Sequence, residues 1–144
     1  MIYYGFDPGK MTGVVAVEVK YKKIEPVMLP ANLSEEELFL FLEGLQNTTT
    51  PRTFIIEGFW LEPYKNPGKN LAWDDMIASQ AIGAIKHVAR RNQIPVVLQK
   101  NSIKPIGYGY ANQKYIPGRR GKHWQDAMAH VYFYLVEQKI GLPA

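Results

Sequence analysis

Residues 2–20 read I-Y-Y-G-F-D-P-G-K-M-T-G-V-V-A-V-E-V-K, and they contain the first two predicted strands of the chain. Ile2 to Phe6 is a short run of residues that favour β-structure, and Asp7-Pro8-Gly9 has the composition of a tight turn. Gly13 to Lys20 is again apolar and alternates toward its end, which is typical of a second strand. The sequence therefore predicts two consecutive strands, with Asp7 at the point where the first one ends.

Strands and helices alternate along the rest of the chain. Lys23 to Leu29 is the third predicted strand, at an edge of the sheet because Pro26 cannot donate to a ladder. The remaining predicted elements are a helix at Glu35–Leu45 behind a capping box of Ser34 and Glu37, a buried strand at Thr53–Glu57, a helix at Trp73–Asn92, a strand at Pro95–Gln99, and a last helix from Gly121 or Lys122 to Gln138. The order β-β-β-α-β-α-β-α predicts an α/β fold, a mixed five-stranded sheet with helices on both faces, in a single domain spanning residues 1–144.

The composition excludes several classes of protein. The chain has 144 residues, of which 47% are hydrophobic and 21% charged, as in ordinary globular domains. It has no cysteine, which excludes a disulfide framework, a zinc-thiolate site and a thiol nucleophile. No apolar run reaches the ~18 residues of a membrane helix, and the first residues lack the pattern of a signal peptide. We therefore expect a cytoplasmic protein.

Charge is distributed unevenly along the chain. Between Met76 and Gln125 there is no Asp or Glu, whereas the same stretch contains nine basic residues. A local positive field favours a polyanionic partner such as nucleic acid, and interleaved aromatic rings can stack on bases. Lys100 to Lys122 is predicted as a loop of about 20 residues, long enough to be functional. We expect a DNA-binding surface that contains Lys10, Lys104, Tyr108, Tyr110, Lys114, Arg119, Arg120 and Lys122.

Four further residues indicate a metal site. Asp7 and Glu57 each end a predicted strand, and a charge at the end of a buried strand is costly unless it is paired or binds a metal. His123 and Asp126 are spaced i, i+3 near the start of the last helix, so both project from one face. If the strands that end in Asp7 and Glu57 are adjacent, the two residues lie about 5 Å apart. Clustered carboxylates with one imidazole suit Mg²⁺ or Mn²⁺, and two such ions can drive phosphodiester hydrolysis without a protein nucleophile.

Three stretches resemble the motifs of RuvC-type Holliday junction resolvases, a family with the ribonuclease H-like fold. They are G-F-D-P-G-K-M-T-G-V-V-A-V (5–17), F-I-I-E-G-F-W (54–60) and H-W-Q-D-A-M-A-H (123–130). The resemblance implies a homodimer that nicks four-way DNA junctions in recombination and repair, leaving a 5′-phosphate and a 3′-hydroxyl. It also implies that Trp60 stacks on junction bases. The catalytic metal ligands that it implies are Asp7, Glu57, His123 and Asp126.

The chain departs from the family's pattern in two places. The family has a longer segment with an extra helix before the last helix, whereas Lys100 to Lys122 is compressed and rich in Tyr and Gly. His123 stands where the family often has Asp, so it can also move protons. His130, one turn beyond Asp126, either orients Asp126 from behind or is a packed core residue.

Two other functions stay open. A ribonuclease H that cleaves RNA–DNA hybrids has a related strand order, but it takes one acid from the first long helix, where Glu43 is the only acid plausibly placed. A non-catalytic DNA-binding module of the same fold would have no reason to keep several costly acids and imidazoles together. A phosphate-binding loop at Gly5 to Thr12 fails because the spacing is one residue short.

Overall fold

The computed structural model describes residues 1–27, 30–46, 50–58, 73–111 and 122–143. Within these ranges, no helix combines the length and the apolar character that crossing a membrane requires. The helices are α1 (Glu35–Gly44), α2 (Trp73–Arg91), α3 (Lys104–Tyr110) and α4 (His123–Glu137), and a 3₁₀ turn at Asn101–Ile103 precedes α3. The strands are β1 (Ile2–Asp7), β2 (Thr12–Lys20), β3 (Lys23–Pro26), β4 (Ala31–Leu33), β5 (Arg52–Glu57), β6 (Val96–Gln99) and β7 (Leu142–Pro143).

The seven strands form one mixed sheet in the order β6-β5-β1-β2-β3-β7, and β4 pairs with β2 beside β3. Strand β1 runs antiparallel to β2 but parallel to β5, and β5 runs parallel to β6. The predicted adjacency of the strands that end in Asp7 and Glu57 is therefore confirmed. Because β1, β5 and β6 end at the same edge of the sheet, their last residues, Asp7, Glu57 and Gln99, lie side by side.

Helices cover both faces of the sheet, as predicted. On one face, Phe54 and Ile56 of β5 belong to an apolar cluster with side chains of α1 and α2. On the other face, Ile55 belongs to a second cluster with side chains of α3 and α4. All three strand residues are fully buried. Successive side chains of a strand point to opposite faces, so a strand covered on both sides needs the continuous apolar run seen here.

The starts of two helices follow from local hydrogen bonds. Helix α1 begins at the predicted capping box, in which the Glu37 N–H donates to Ser34 Oγ at 3.3 Å and the Ser34 N–H donates to Glu37 Oε1 at 3.1 Å. At the start of α4, the Trp124 N–H donates to Oδ1 of Asn32 at 3.0 Å. Since Asn32 lies in β4, this bond attaches the first turn of α4 to the sheet.

The structure corrects the sequence-based fold in three places. The described residues form seven strands instead of five, because the short strands β4 and β7 were not predicted. Strand β3 is not at the edge, since its residues Lys23 and Ile24 pair with β7. The segment from Lys100 to Lys122 is not a loop throughout, because it contains a 3₁₀ turn and α3 before the part that lies outside the described residues.

Two glycines allow α4 to lie close to its neighbours. A Cβ added at Gly13 of β2 would overlap the backbone of His123 and Trp124. A Cβ added at Gly107 of α3 would overlap the carbonyl group of Ala129. A side chain at Gly13 would push α4 away from the sheet, and one at Gly107 would push α3 and α4 apart, so the packing around the acid in the first turn of α4 depends on both glycines.

We expect Gly107→Ala to lower the free energy of unfolding by about 1–3 kcal/mol, because the added methyl group overpacks the contact between α3 and α4. Gly109→Ala is the matched control on the same helix. A Cβ at Gly109 has no heavy atom within 4 Å, so this variant should be more stable by about 0.5–1 kcal/mol. Urea denaturation followed by circular dichroism measures both changes. Equal stability of the two variants would contradict the close packing of α3 on α4.

Candidate active site

Three carboxylates converge at the edge of the sheet where β1 and β5 end. Asp7 is the last residue of β1, Glu57 is the last residue of β5, and Asp126 is in the first turn of α4. One oxygen of each lies within 4.8 Å of one oxygen of each of the others. Asp7 is buried and the other two are partly exposed. One acid of the cluster is therefore buried in the core, and the cluster is open to solvent on one side.

His123 lies beside this cluster. Its Nδ1 is 3.0 Å from Oδ2 of Asp7, and its side chain is 48% exposed. The four residues that the sequence groups together are therefore neighbours in the structure. Three of them form the carboxylate cluster, and the imidazole contacts one of the three. A role for His123 as a metal ligand stays a prediction.

A lysine lies among the carboxylates. Lys104 is the first residue of α3, and its Nζ is 3.3 Å from Oε1 of Glu57 and 3.4 Å from Oδ2 of Asp126. Burial lowers the pKa of Lys104, but the neighbouring carboxylates, Glu57 foremost, raise it by more, so the pKa lies above its ordinary value. The structure shows Lys104 bridging two acids, a contact that was not predicted because this segment was predicted as a loop. Its binding to phosphate stays a prediction.

Two polar side chains support the carboxylates from behind. The Tyr108 hydroxyl donates to Oδ1 of Asp126 at 2.6 Å, and its ring is only 8% exposed, which leaves little surface for the predicted stacking on bases. His130 is fully buried, and its Nε2 lies 3.4 Å from Oε2 of Glu57, so it contacts Glu57 rather than Asp126. The sequence pattern that indicates His130 as part of the site is the spacing i, i+3, i+7. This spacing puts His123, Asp126 and His130 along one side of a helix.

The other residues predicted to bind DNA are only partly described. Lys10, in the turn after β1, and Lys122, immediately before α4, are exposed at the end of the molecule that carries the carboxylates. The Tyr110 hydroxyl donates to Oε1 of Glu137 at 2.5 Å. Outside the described residues lie Trp60, Lys114, Arg119 and Arg120, whose role in DNA binding stays a prediction.

A groove of about 400 Å³ adjoins the cluster. It leads from Asp126 along the 3₁₀ turn and the start of α3, so a substrate in it would pass directly beside the carboxylates. Asn101, Ser102 and Lys104 in its lining can donate hydrogen bonds to a phosphate backbone. The lining residues are Asn101, Ser102, Lys104, Pro105, Tyr108 and Asp126.

The protons of the cluster are unevenly distributed. Burial, then the hydrogen bond with Glu57 and the charges of Glu57 and Asp126, raise the pKa of Asp7 to about 9. Burial also raises the pKa of Glu57, but the polar contacts with His130 and Asp7 and the positive charge of Lys104 lower it to about 2. Asp7 therefore holds a proton while Glu57 is ionised. A divalent cation would relieve this repulsion, and carboxylate oxygens are the ligands that Mg²⁺ and Mn²⁺ prefer, so the residues fit such an ion.

Fold and site together define an α/β protein with a ribonuclease H-like fold and a carboxylate cluster suited to divalent cations. Neither a protein-family model nor a curated protein sequence matches the chain. Among the solved structures that match the chain are two that cover its whole length. The structure of T. thermophilus RuvC in complex with a Holliday junction substrate has a TM-score of 0.66 and 15% sequence identity, covering 100% of this chain and 99% of that chain.

A second RuvC structure gives the same result. The Thermus thermophilus RuvC structure has a TM-score of 0.62 and 18% sequence identity, and the match covers 100% of both chains. At this level of identity the likeness establishes the fold. The chain therefore has the fold of RuvC, and the ribonuclease H-like fold expected from the three sequence motifs is confirmed.

We expect Asp7→Asn to stabilise the protein by about 1–2 kcal/mol at pH 8 in EDTA, because the folded wild type keeps Asp7 protonated at a pH where an Asp of the unfolded chain is ionised, whereas Asn is neutral in both states. Folding raises the pKa of Asp7 from 3.8 to about 9. The stability contributed by its neutral form is therefore complete below pH 4 and is lost as the pH rises toward 9. The gain from Asp7→Asn should consequently grow between pH 5 and pH 8, as measured by thermal unfolding.

Glu43→Gln is the control for this experiment, because Glu43 is exposed on α1 and its substitution removes the same charge elsewhere. Its effect on the free energy of unfolding should be small and should not grow over this pH range. A loss of stability for Asp7→Asn at pH 8 would contradict the charge repulsion that we infer within the cluster.

Proposed function

We propose that this chain is a divalent-metal-dependent endonuclease that nicks four-way DNA junctions and other branched DNA. The observation that carries the proposal is the convergence of Asp7, Glu57 and Asp126 within 4.8 Å of one another at the strand ends of a RuvC fold. The matching RuvC structure contains a Holliday junction substrate. That complex supports branched DNA as the substrate of this chain as well.

The three carboxylates would hold Mg²⁺ or Mn²⁺, with His123 as a further ligand. Two ions held by these residues would supply activation of a water for attack on the scissile phosphate and stabilisation of the leaving 3′-oxygen. The products are then a 5′-phosphate and a 3′-hydroxyl. Asp7 must give up its proton for this role, and Nδ1 of His123 lies 3.0 Å from Oδ2 of Asp7, within reach of that proton.

Lys104 has a separate part in this mechanism. Its ammonium group, which contacts Glu57 and Asp126, neutralises part of the negative charge of the cluster. Phosphate approaching three carboxylates would otherwise be repelled, so a cation between them favours substrate binding. The lysine also adjoins the groove beside Asp126, where its Nζ can donate to a phosphate oxygen.

We further propose that the active species is a homodimer. A four-way junction has approximate twofold symmetry, and two symmetric nicks require two active sites related by the same symmetry. The exposed lysines Lys10 and Lys122 beside each site would contact phosphates, together with the stretch that contains Lys114, Arg119 and Arg120. Trp60 would stack on bases at the branch point. Such a nuclease would act in DNA recombination or repair.

The ribonuclease H alternative has less support. A ribonuclease H needs a catalytic carboxylate from the first long helix, and Glu43 is the only acid of α1 that is plausibly placed for this role. Glu43 is exposed on α1, and α1 packs on the opposite face of the sheet from α4. Among the described residues, the acids that converge are Asp7, Glu57 and Asp126. This set supports a site formed by two strand ends and the last helix.

We expect the wild-type protein with Mn²⁺ or Mg²⁺ to nick a labelled four-way junction at symmetric positions and to leave an RNA–DNA hybrid intact. Loss of a residue that only contacts a metal ligand typically lowers metal affinity or activity by ~10–100-fold. Asp7→Asn and Glu57→Gln each change a proposed ligand itself, so each should reduce nicking by more than that. Both variants should still bind the junction in gel-shift assays, because removing a negative charge near DNA weakens no contact with phosphate.

Each alternative has its own outcome in this assay. Cleavage of the hybrid alone would identify a ribonuclease H, and cleavage of neither substrate with Mn²⁺ present would identify a binding module. If Asp7→Asn nicked the junction at the wild-type rate, the assignment of the carboxylates would be wrong. Glu43→Gln again serves as the control and should cut normally.

We expect charge reversal at Arg119 and Arg120 to weaken binding to junction and duplex DNA alike. The slope of log affinity against log salt concentration should become shallower by about 0.9 for each phosphate that the variant no longer neutralises. Charge reversal at Lys22 and Lys23 is the matched control, because these exposed lysines lie in the β2–β3 turn at the other end of the sheet. Equal effects of the two double variants on DNA affinity would mean that the stretch from Met76 to Gln125, which contains no Asp or Glu, does not form the DNA-binding surface.

A further inference from the structure

His130 is a buried polar residue that the mechanism above does not use. It lies in the middle of α4 with no exposed surface. Its Nδ1 is 2.8 Å from Oε1 of Gln99, and its Nε2 is 3.4 Å from Oε2 of Glu57. Gln99 is itself buried and lies beside Glu57 in the register of β6 and β5. The imidazole therefore connects the ends of two adjacent strands.

The two atoms that face each other, Nε2 of His130 and Oε2 of Glu57, are both inaccessible to solvent. Neither has a hydrogen-bond partner with good geometry among the described residues. Buried polar atoms in folded proteins are nearly always hydrogen-bonded, so each is the natural partner of the other. Their separation of 3.4 Å is long for a hydrogen bond. Hydrogen bonds in active sites commonly shorten once the reacting complex forms.

The contact with Gln99 determines which proton arrangements are acceptable. A neutral ring that donates from Nδ1 to Oε1 of Gln99 would leave a lone pair on Nε2 facing a carboxylate oxygen, which is repulsive. Two arrangements avoid this repulsion. In one, both ring nitrogens carry a proton. In the other, the Gln99 amide turns its NH₂ group toward Nδ1. Both direct an N–H from Nε2 at Glu57.

We propose that His130, oriented by Gln99, is a positioning residue that holds Oε2 of Glu57 and leaves Oε1 to bind the divalent cation. This inference rests on the proposed function, because it takes Glu57 as a metal ligand. Oε1 is the oxygen that contacts the Lys104 ammonium group at 3.3 Å, so it already faces a cation. The two oxygens of one carboxylate thus have different partners, one in the core and one at the open side of the cluster.

The advantage of this arrangement is preorganisation. A free glutamate side chain rotates about three bonds and loses that freedom when it binds an ion. A glutamate that is already held by a buried imidazole loses less on binding, so the affinity for the ion is higher. Partners of this outer kind typically contribute about 10–100-fold to metal affinity or activity.

The test measures binding of Mn²⁺ alone by isothermal titration calorimetry, without DNA. His130→Leu removes the donor at similar volume and should weaken Mn²⁺ binding by about 10–100-fold. His130→Gln can place an amide N–H near the position of Nε2 and should recover most of the affinity. Junction binding in EDTA should be unchanged in both variants, because His130 has no exposed surface with which to contact DNA.

Tyr132→Phe is the control for a purely structural effect, since Tyr132 is also fully buried on α4 but belongs to the apolar cluster. It should alter the melting temperature without altering Mn²⁺ affinity. Wild-type affinity for Mn²⁺ in a folded His130→Leu variant would overturn the inference. Failure of the proposed metal site has a different signature, namely no Mn²⁺ binding by the wild type or unchanged Mn²⁺ binding in Glu57→Gln.

A second measurement keeps the inference testable even if His130→Leu does not fold. Nuclear magnetic resonance of the ¹⁵N-labelled wild type reports which imidazole nitrogens carry protons. We expect a slowly exchanging proton on Nε2 of His130, shifted downfield by the carboxylate. An Nε2 without a proton in the folded protein would overturn the inference, because such a nitrogen cannot donate to Glu57.

Discussion

The repulsion between Asp7 and Glu57 is the constraint on which the rest of the site depends. The two residues end neighbouring parallel strands, and the ladder between β1 and β5 keeps them beside each other. A surface pair of acids can rotate away into water, but Asp7 is 7% exposed and cannot. The protein compensates with nearby positive and hydrogen-bonding groups, including Lys104 and the Tyr108 hydroxyl on Asp126. These groups reduce the repulsion without removing it, because Asp7 keeps a raised pKa.

Bringing in the third carboxylate requires a helix that lies very close to the sheet. Helix α4 carries Asp126 in its first turn, and a side chain at Gly13 would displace that turn. Helix α3 packs on α4, and its Gly107 lies against the backbone of α4. Helix α3 in turn brings Lys104 and Tyr108 to the acids. The electrostatics of the site thus depend on two backbone contacts that only residues without a side chain allow.

The parts of the site that the sequence could predict are those with a strong local pattern. The apolar run before Glu57 indicates a strand buried on both faces, and the turn after Asp7 indicates where the first strand ends. Helix α3 gave no such signal, because Gly107 and Gly109 have low helix propensity and Pro105 is a breaker except in a first turn. There Pro105 is tolerated, and packing on α4 outweighs the propensities. The contacts of Lys104 and Tyr108 with the acids follow from that helix, so they could not be predicted either.

The surroundings of the two strand-end carboxylates, Glu57 and Asp7, favour opposite protonation states. Glu57 has a nitrogen near each oxygen, from His130 on the core side and from Lys104 on the open side, and both favour its charged form. Asp7 contacts the half-exposed His123 and faces two other acids, which favour its neutral form. One acid is therefore already charged, while the other would become charged only when a cation compensates for it. If a divalent cation binds as proposed, its binding would be coupled to release of the Asp7 proton, and it would restore the stability that repulsion between the acids costs the ion-free protein.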